Sequence, residues 1–233
     1  MQGHVDRIRA ATADVVRGSP GTHIYLFVLF VTTAVVRSTS PALSNELLRQ
    51  VSTNLEQMSS SAVRVLFLSA FLLGGSGYLV PLVMFALVYV PLERWVGTWR
   101  WLSVVIVGHI GATFVTTVGI WADVRSHRGT TSLVQAIDVG PSYGFMAGAG
   151  YLLAGVPWPR ARIAAVAGFL VYLSLPFFGR SNFTDTGHAA AGCIGMAMWL
   201  LTPADRDSAP LLSPLTRWSS SLTRSPAPDR TEP

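Results

Sequence analysis

Apolar residues in this chain come in runs, and most of the arginines sit in the polar stretches between them. Thr22 to Val36 is the first run, with Arg37 placed to snorkel at its end. No small-x-small cleavage pattern follows it, so a retained helix is expected rather than a signal peptide. Residues 40–58 read differently. Ser40 fits an N-cap and Pro41 the first helical position. Leu43, Leu47, Leu48, Val51, Leu55 and Met58 recur at helical spacing opposite Glu46, Arg49 and Glu56. That pattern predicts an amphipathic helix lying along a membrane surface.

Ala62 to Leu92 is too long for one ordinary span, and Gly74-Gly75-Ser76-Gly77 breaks it. The expected elements are a membrane-embedded lead-in at 63–73 and a second helix at about 77–92. No Lys-Ser/Thr follows the glycines, which excludes a phosphate loop of the usual pattern. Glu93 to Arg100 reads as a polar turn, and a third helix follows at about 101–121, with Trp99, Trp101 and Trp121 as interfacial anchors. A polar loop at 122–132 precedes a fourth helix at about 139–156, a fifth at 161–178 and a sixth at 186–202. Residues 1–21 suit a short surface helix. The Ser- and Pro-rich stretch 203–233 reads as a disordered tail.

Composition sharpens the class. Half of the 233 residues are apolar and 12% are charged, against about 25% charged in soluble domains. The fold class is therefore all-α: a polytopic membrane protein with six spans over residues 22–202. Its expected surroundings are the lipid bilayer, where only structures that satisfy their own backbone survive. The net charge of +5 comes from arginine alone, scattered between spans, so it argues orientation and not nucleic-acid binding. Six spans put both termini on one side. Eleven arginines fall on that side and six on the other, which makes the termini cytoplasmic. Cys193 is the sole cysteine, excluding an internal disulfide and a Cys-based zinc site. No metal or cofactor is implied.

The candidate chemistry lies at two helix starts. Ser142 stands in Gly140-Pro141-Ser142-Tyr143-Gly144, and His188 in Asp185-Thr186-Gly187-His188. The fourth and sixth helices both run inward from the outer face, so hydroxyl and imidazole fall at similar depth. Gly144, Ala147, Gly148 and Gly150 on one helix, with Gly187, Ala191, Gly192 and Gly195 on the other, permit close approach. A serine nucleophile needs a base in hydrogen-bond reach, and an ionisable group within a span is a functional candidate by default. Asp138 and Asp185 flank the pair, either as groups that orient the imidazole or as helix-start anions. His109, midway along the third helix, is either part of a proton path or a packed residue bonded to a backbone carbonyl.

These motifs resemble the rhomboid family of intramembrane serine proteases over residues 20–202. Gly140-Pro141-Ser142 is similar to the family's Gly-x-Ser on helix four. His188, Ala191 and Gly195 fit its His-x-x-small-x-x-x-Gly on helix six. Glu93, Gly97 and Arg100 fit Glu-x-x-x-Gly-x-x-Arg, and Val63-Arg64 resembles the Trp-Arg segment of the first loop. The resemblance implies Ser142 as nucleophile, His188 as base, and single-span membrane proteins as substrates. The chain departs from the family at helix two, where Leu68 to Leu92 contains no His and no Asn to stabilise the oxyanion. The backbone N–H groups of Ser142 and Tyr143 are then the remaining donors. Asp138 and Tyr143-Gly144 point to a divergent bacterial rhomboid-like subgroup. Two functions follow from this: an intramembrane serine protease, or a catalytically inactive relative that binds membrane helices and affects their sorting or stability. A channel using His109, Asp138 and His188 is a third, opposed by the lack of an internal repeat.

Overall fold

The computed structural model describes residues 2–74, 77–126, 137–179 and 182–202. Part of the expected polar loop, the centre of the glycine break and the tail from 203 onward lie outside them. Among the described residues every regular element is helical. The helices are α1 (Gln2–Gly18), α2 (Pro20–Arg37), α3 (Pro41–Gln50), α4 (Leu55–Ser69) and α5 (Leu79–Met84). They continue with α6 (Val90–Val96), α7 (Thr98–Arg125), α8 (Ser142–Ala154), α9 (Pro159–Ser174) and α10 (Phe183–Leu200). A π-helical turn, Phe85–Tyr89, joins α5 to α6, and a 3-10 turn, Leu175–Phe178, extends α9.

Among the described residues four stretches are long and apolar enough to cross a membrane: Pro20–Arg37, Leu79–Val96, Thr98–Arg125 and Pro159–Phe178. α8 has only 13 residues, or about 20 Å of helix. It is the innermost element, with Tyr143, Gly144, Met146, Ala147, Gly148, Gly150, Tyr151, Leu152 and Ala154 buried. Sheathed by other helices, it needs no lipid-facing surface of its own. α9 is the opposite case, with 6% of its apolar window buried.

Several expected boundaries move, each for a visible reason. The amphipathic helix does begin at Ser40, whose hydroxyl accepts from the Leu43 N–H at 3.3 Å. It ends at Gln50, because Ser52 and Thr53 bond elsewhere and Asn54 caps α4 by accepting from the Gln57 N–H at 2.9 Å. The lead-in is thus the second half of α4, which bends at Ser61. The turn after helix two is tighter than 93–100: Gly97, at φ +81°, is the single break between α6 and α7. Trp99 and Trp121 are exposed as interface anchors should be. Trp101 is not, at 2% exposure, because it packs against Tyr25 and Tyr89 in the core.

The motif residue Glu93 explains how α2 is seated. Its carboxylate is fully buried and accepts from the N–H of Gly21 (2.8 Å) and Thr22 (2.6 Å) and from the Thr98 hydroxyl (2.7 Å). It therefore caps the start of a helix some seventy residues away in sequence, where the backbone offers unpaired donors.

Candidate active site

Glycines let α8 seat itself among its neighbours. A methyl at Gly150 would overlap the Gly192 carbonyl, and one at Gly195 the Ala147 carbonyl, so α8 and α10 meet backbone to backbone. At Gly144 a methyl would strike the Tyr89 hydroxyl at 2.7 Å and Val105 at 2.8 Å, and at Gly108 it would overlap Ala147. Close approach of this kind is how helices associate in lipid, where hydrophobicity offers no drive.

Ser142 is the first residue of α8 and is partly buried. The approach to it is firmly held. Gly140 takes φ +131°, a conformation L side chains rarely adopt, and its N–H donates to the Ser69 carbonyl at 2.8 Å. The Tyr89 hydroxyl donates to the Pro141 carbonyl at 3.3 Å. No side chain caps the helix start at Pro141. His188 lies near the start of α10, partly buried. Its ring meets that of Tyr143 edge-on, with centroids 5.6 Å apart and planes at 78°. Gly187 sits so close to the same ring that a methyl would overlap it. The beginnings of α8 and α10 therefore lie together at one end of the bundle. The His188 Nε2 atom is buried and has no hydrogen-bond partner, Ser142 included.

The two acids do different work, and neither bonds to the imidazole. Asp185 is spent in a capping box with Asn182: its carboxylate accepts from the Asn182 N–H at 2.8 Å, and the Asn182 side chain accepts from the Asp185 N–H at 3.0 Å. Asp138 is a hub in the loop before α8. Its carboxylate accepts from the hydroxyls of Thr53 (2.9 Å) and Tyr143 (2.8 Å). Its backbone carbonyl accepts from the Thr53 N–H at 3.0 Å, and its N–H donates to the Ser52 hydroxyl at 2.5 Å. Burial pushes this carboxyl above its ordinary pKa, against the lowering effect of the two hydroxyl donors. His109 is buried between α7 and α4, and its Nδ1 has no hydrogen-bond partner. Its Nε2–H faces the Leu66 carbonyl at 3.1 Å and the Ser69 hydroxyl at 3.2 Å, which ties α7 to α4.

Ser52, Thr53 and Tyr89 were not legible as site residues, since a hydroxyl in a loop junction or a tyrosine in a span carries no spacing signal. Among the described residues no three His, Cys, Asp or Glu side chains stand together to hold a metal. An apolar groove of about 410 Å³ opens between Leu87 and Val88 of the π turn, Phe145 and Ala149 of α8, and Phe169 and Tyr172 of α9.

Long apolar helices around a buried, glycine-packed central helix define a multi-pass membrane protein. A family model described as "Rhomboid-like protein" matches residues 14–208, and the chain belongs to that family. No curated protein and no solved structure matches it.

Proposed function

We propose that this rhomboid-like protein is an intramembrane serine protease acting through Ser142 and His188. The observation that carries this reading is the orphaned His188 Nε2, buried at the end of the bundle where the Ser142 helix begins. A buried nitrogen without a partner costs about 1–3 kcal/mol, which a base awaiting a hydroxyl rationalises. His188 takes the Ser142 proton as Oγ attacks a peptide carbonyl. The N–H groups of Ser142 and Tyr143, at a helix start that no side chain caps, are the donors this reading assigns to the oxyanion. His188 then protonates the leaving amine, and water hydrolyses the acyl-enzyme. Substrates are single-span proteins with a locally unwound, small-residue segment. In this reading α8 and α10 complete six spans, both termini are cytoplasmic, and the site opens toward the outer face of the cell membrane. The non-catalytic reading, a binder of membrane helices, draws on the missing hydrogen bond between Ser142 and His188 and on the absence of His and Asn from 68–92.

A fluorophosphonate probe separates the two. The protease labels at Ser142, with labelling abolished by Ser142→Ala and reduced at least about 10²-fold by His188→Ala. A folded wild-type preparation that stays unlabelled leaves the binder.

A further inference from the structure

We propose that Asp138 is a positioning residue for His188, acting through Tyr143. The catalytic consequence rests on the Ser142–His188 reading above, but the positioning does not. Neither acid hydrogen-bonds the imidazole: the Asp185 carboxylate is closed into its capping box and reaches the ring only through its charge, and Nε2 has no hydrogen bond. What orders the ring is packing against Tyr143. Tyr143 in turn is tied at its far end, where its hydroxyl donates to the Asp138 carboxylate at 2.8 Å and also meets the side chains of Thr116 and Thr184. Asp138 is itself held by Thr53 from the α3–α4 junction: the Thr53 hydroxyl donates to the carboxylate, and the Thr53 N–H donates to the Asp138 backbone carbonyl. The Tyr143 ring also lies against Gly187, the residue before His188, so no side chain there can wedge the two rings apart. A phenol anchored at its hydroxyl has less freedom to slide along the imidazole, and it hands that constraint on. The chain of contacts runs from the segment between α3 and α4, through Asp138 and Tyr143, to His188. It makes the membrane-surface loop a determinant of the site's geometry, without any of its residues touching substrate.

The test uses the full-length protein in detergent micelles with ¹³C-labelled histidine, the His188 signal being assigned by its loss in His188→Ala. Its Cε1–H resonance carries the ring current of Tyr143, whose aromatic face is retained in Tyr143→Phe. The relay requires Tyr143→Phe and Asp138→Ala to move that resonance in the same direction, and the double variant to move it no further than the larger single one. Asp138→Asn, which keeps an acceptor oxygen, restores much of the wild-type position. Fluorophosphonate labelling at Ser142 falls by about 10–100-fold in Tyr143→Phe, as expected for a small misplacement of a catalytic group. A His188 resonance unmoved in Tyr143→Phe overturns the proposal, and this variant decides alone if Asp138→Ala does not fold. Moved resonances in a protein whose wild type never labels keep the relay and sink the protease. Labelling with an unmoved resonance does the reverse.

Discussion

At the scale of single residues, the buried polar groups divide into those that hold the fold and those left without partners. His109 belongs to both: its Nε2 is bonded to Leu66 and Ser69, and its Nδ1 is buried without a partner. His109→Ala should lower thermal stability by about 1–3 kcal/mol, the penalty for a buried carbonyl losing its donor. Fluorophosphonate labelling per folded molecule should stay unchanged, whereas a proton path through His109 would couple the two. Asp138 gives a pH signature. Its folded-state pKa is raised, so its contribution is full below the unfolded value near pH 4 and fades as pH rises through the folded value. Unfolding followed by circular dichroism should show that decline in wild type and a flatter profile in Asp138→Asn. Much of the candidate site was open to a reader of the sequence. Ser142 and His188 stand out as candidates by their glycine-rich surroundings, and the two acids by proximity. What was hidden is which acid does what. Asp138 and Asp185 look alike as helix-start anions, and only the fold brings Thr53 and Tyr143 to one of them.

At the scale of helices, the packing predicts a contrast between two substitutions of one chemical type. Gly195→Ala places a methyl on the Ala147 carbonyl and should destabilise by about 1–3 kcal/mol or more, as overpacking does. Gly168→Ala on α9 meets nothing within 4 Å and should be neutral, or stabilise by up to about 1 kcal/mol through helix propensity. Thermal unfolding in matched detergent checks both, and equal effects would mean α8 and α10 are not so closely seated. The helices themselves were legible because lipid leaves so few ways to satisfy a backbone. Their ends were less so. The break at 51–54 depends on long-range bonds to Asp138, and the π turn at Phe85–Tyr89 leaves no mark in hydropathy. α8 is shorter than a full membrane span because burial among its neighbours relieves it of length.

At the scale of the whole molecule, two ends can be told apart. α1 docks on α6 through the ion pair of Asp14 with Arg94 at 2.8 Å, and Arg162 lies over the Trp199 ring at the close of α10. The opposite end gathers the starts of α4, α8 and α10 around Asp138 and Tyr143. The proposed orientation puts the arginine-rich end in the cytoplasm. In a Cys193→Ser background, Arg160→Cys should then react in intact cells only with a membrane-permeant maleimide. Ser59→Cys should react with permeant and impermeant reagents alike, and the reverse pattern would invert the topology.

The seat of α2 on Glu93 has a bearing on biogenesis. The Thr22 N–H and its acceptor are separated by 71 residues, about 4–14 s of ribosome travel at 5–20 residues per second. During that interval the first hydrophobic helix must dwell in the translocation machinery or the lipid with its leading turn unfinished. Its anchorage is completed only when α6, which carries Glu93, arrives behind it.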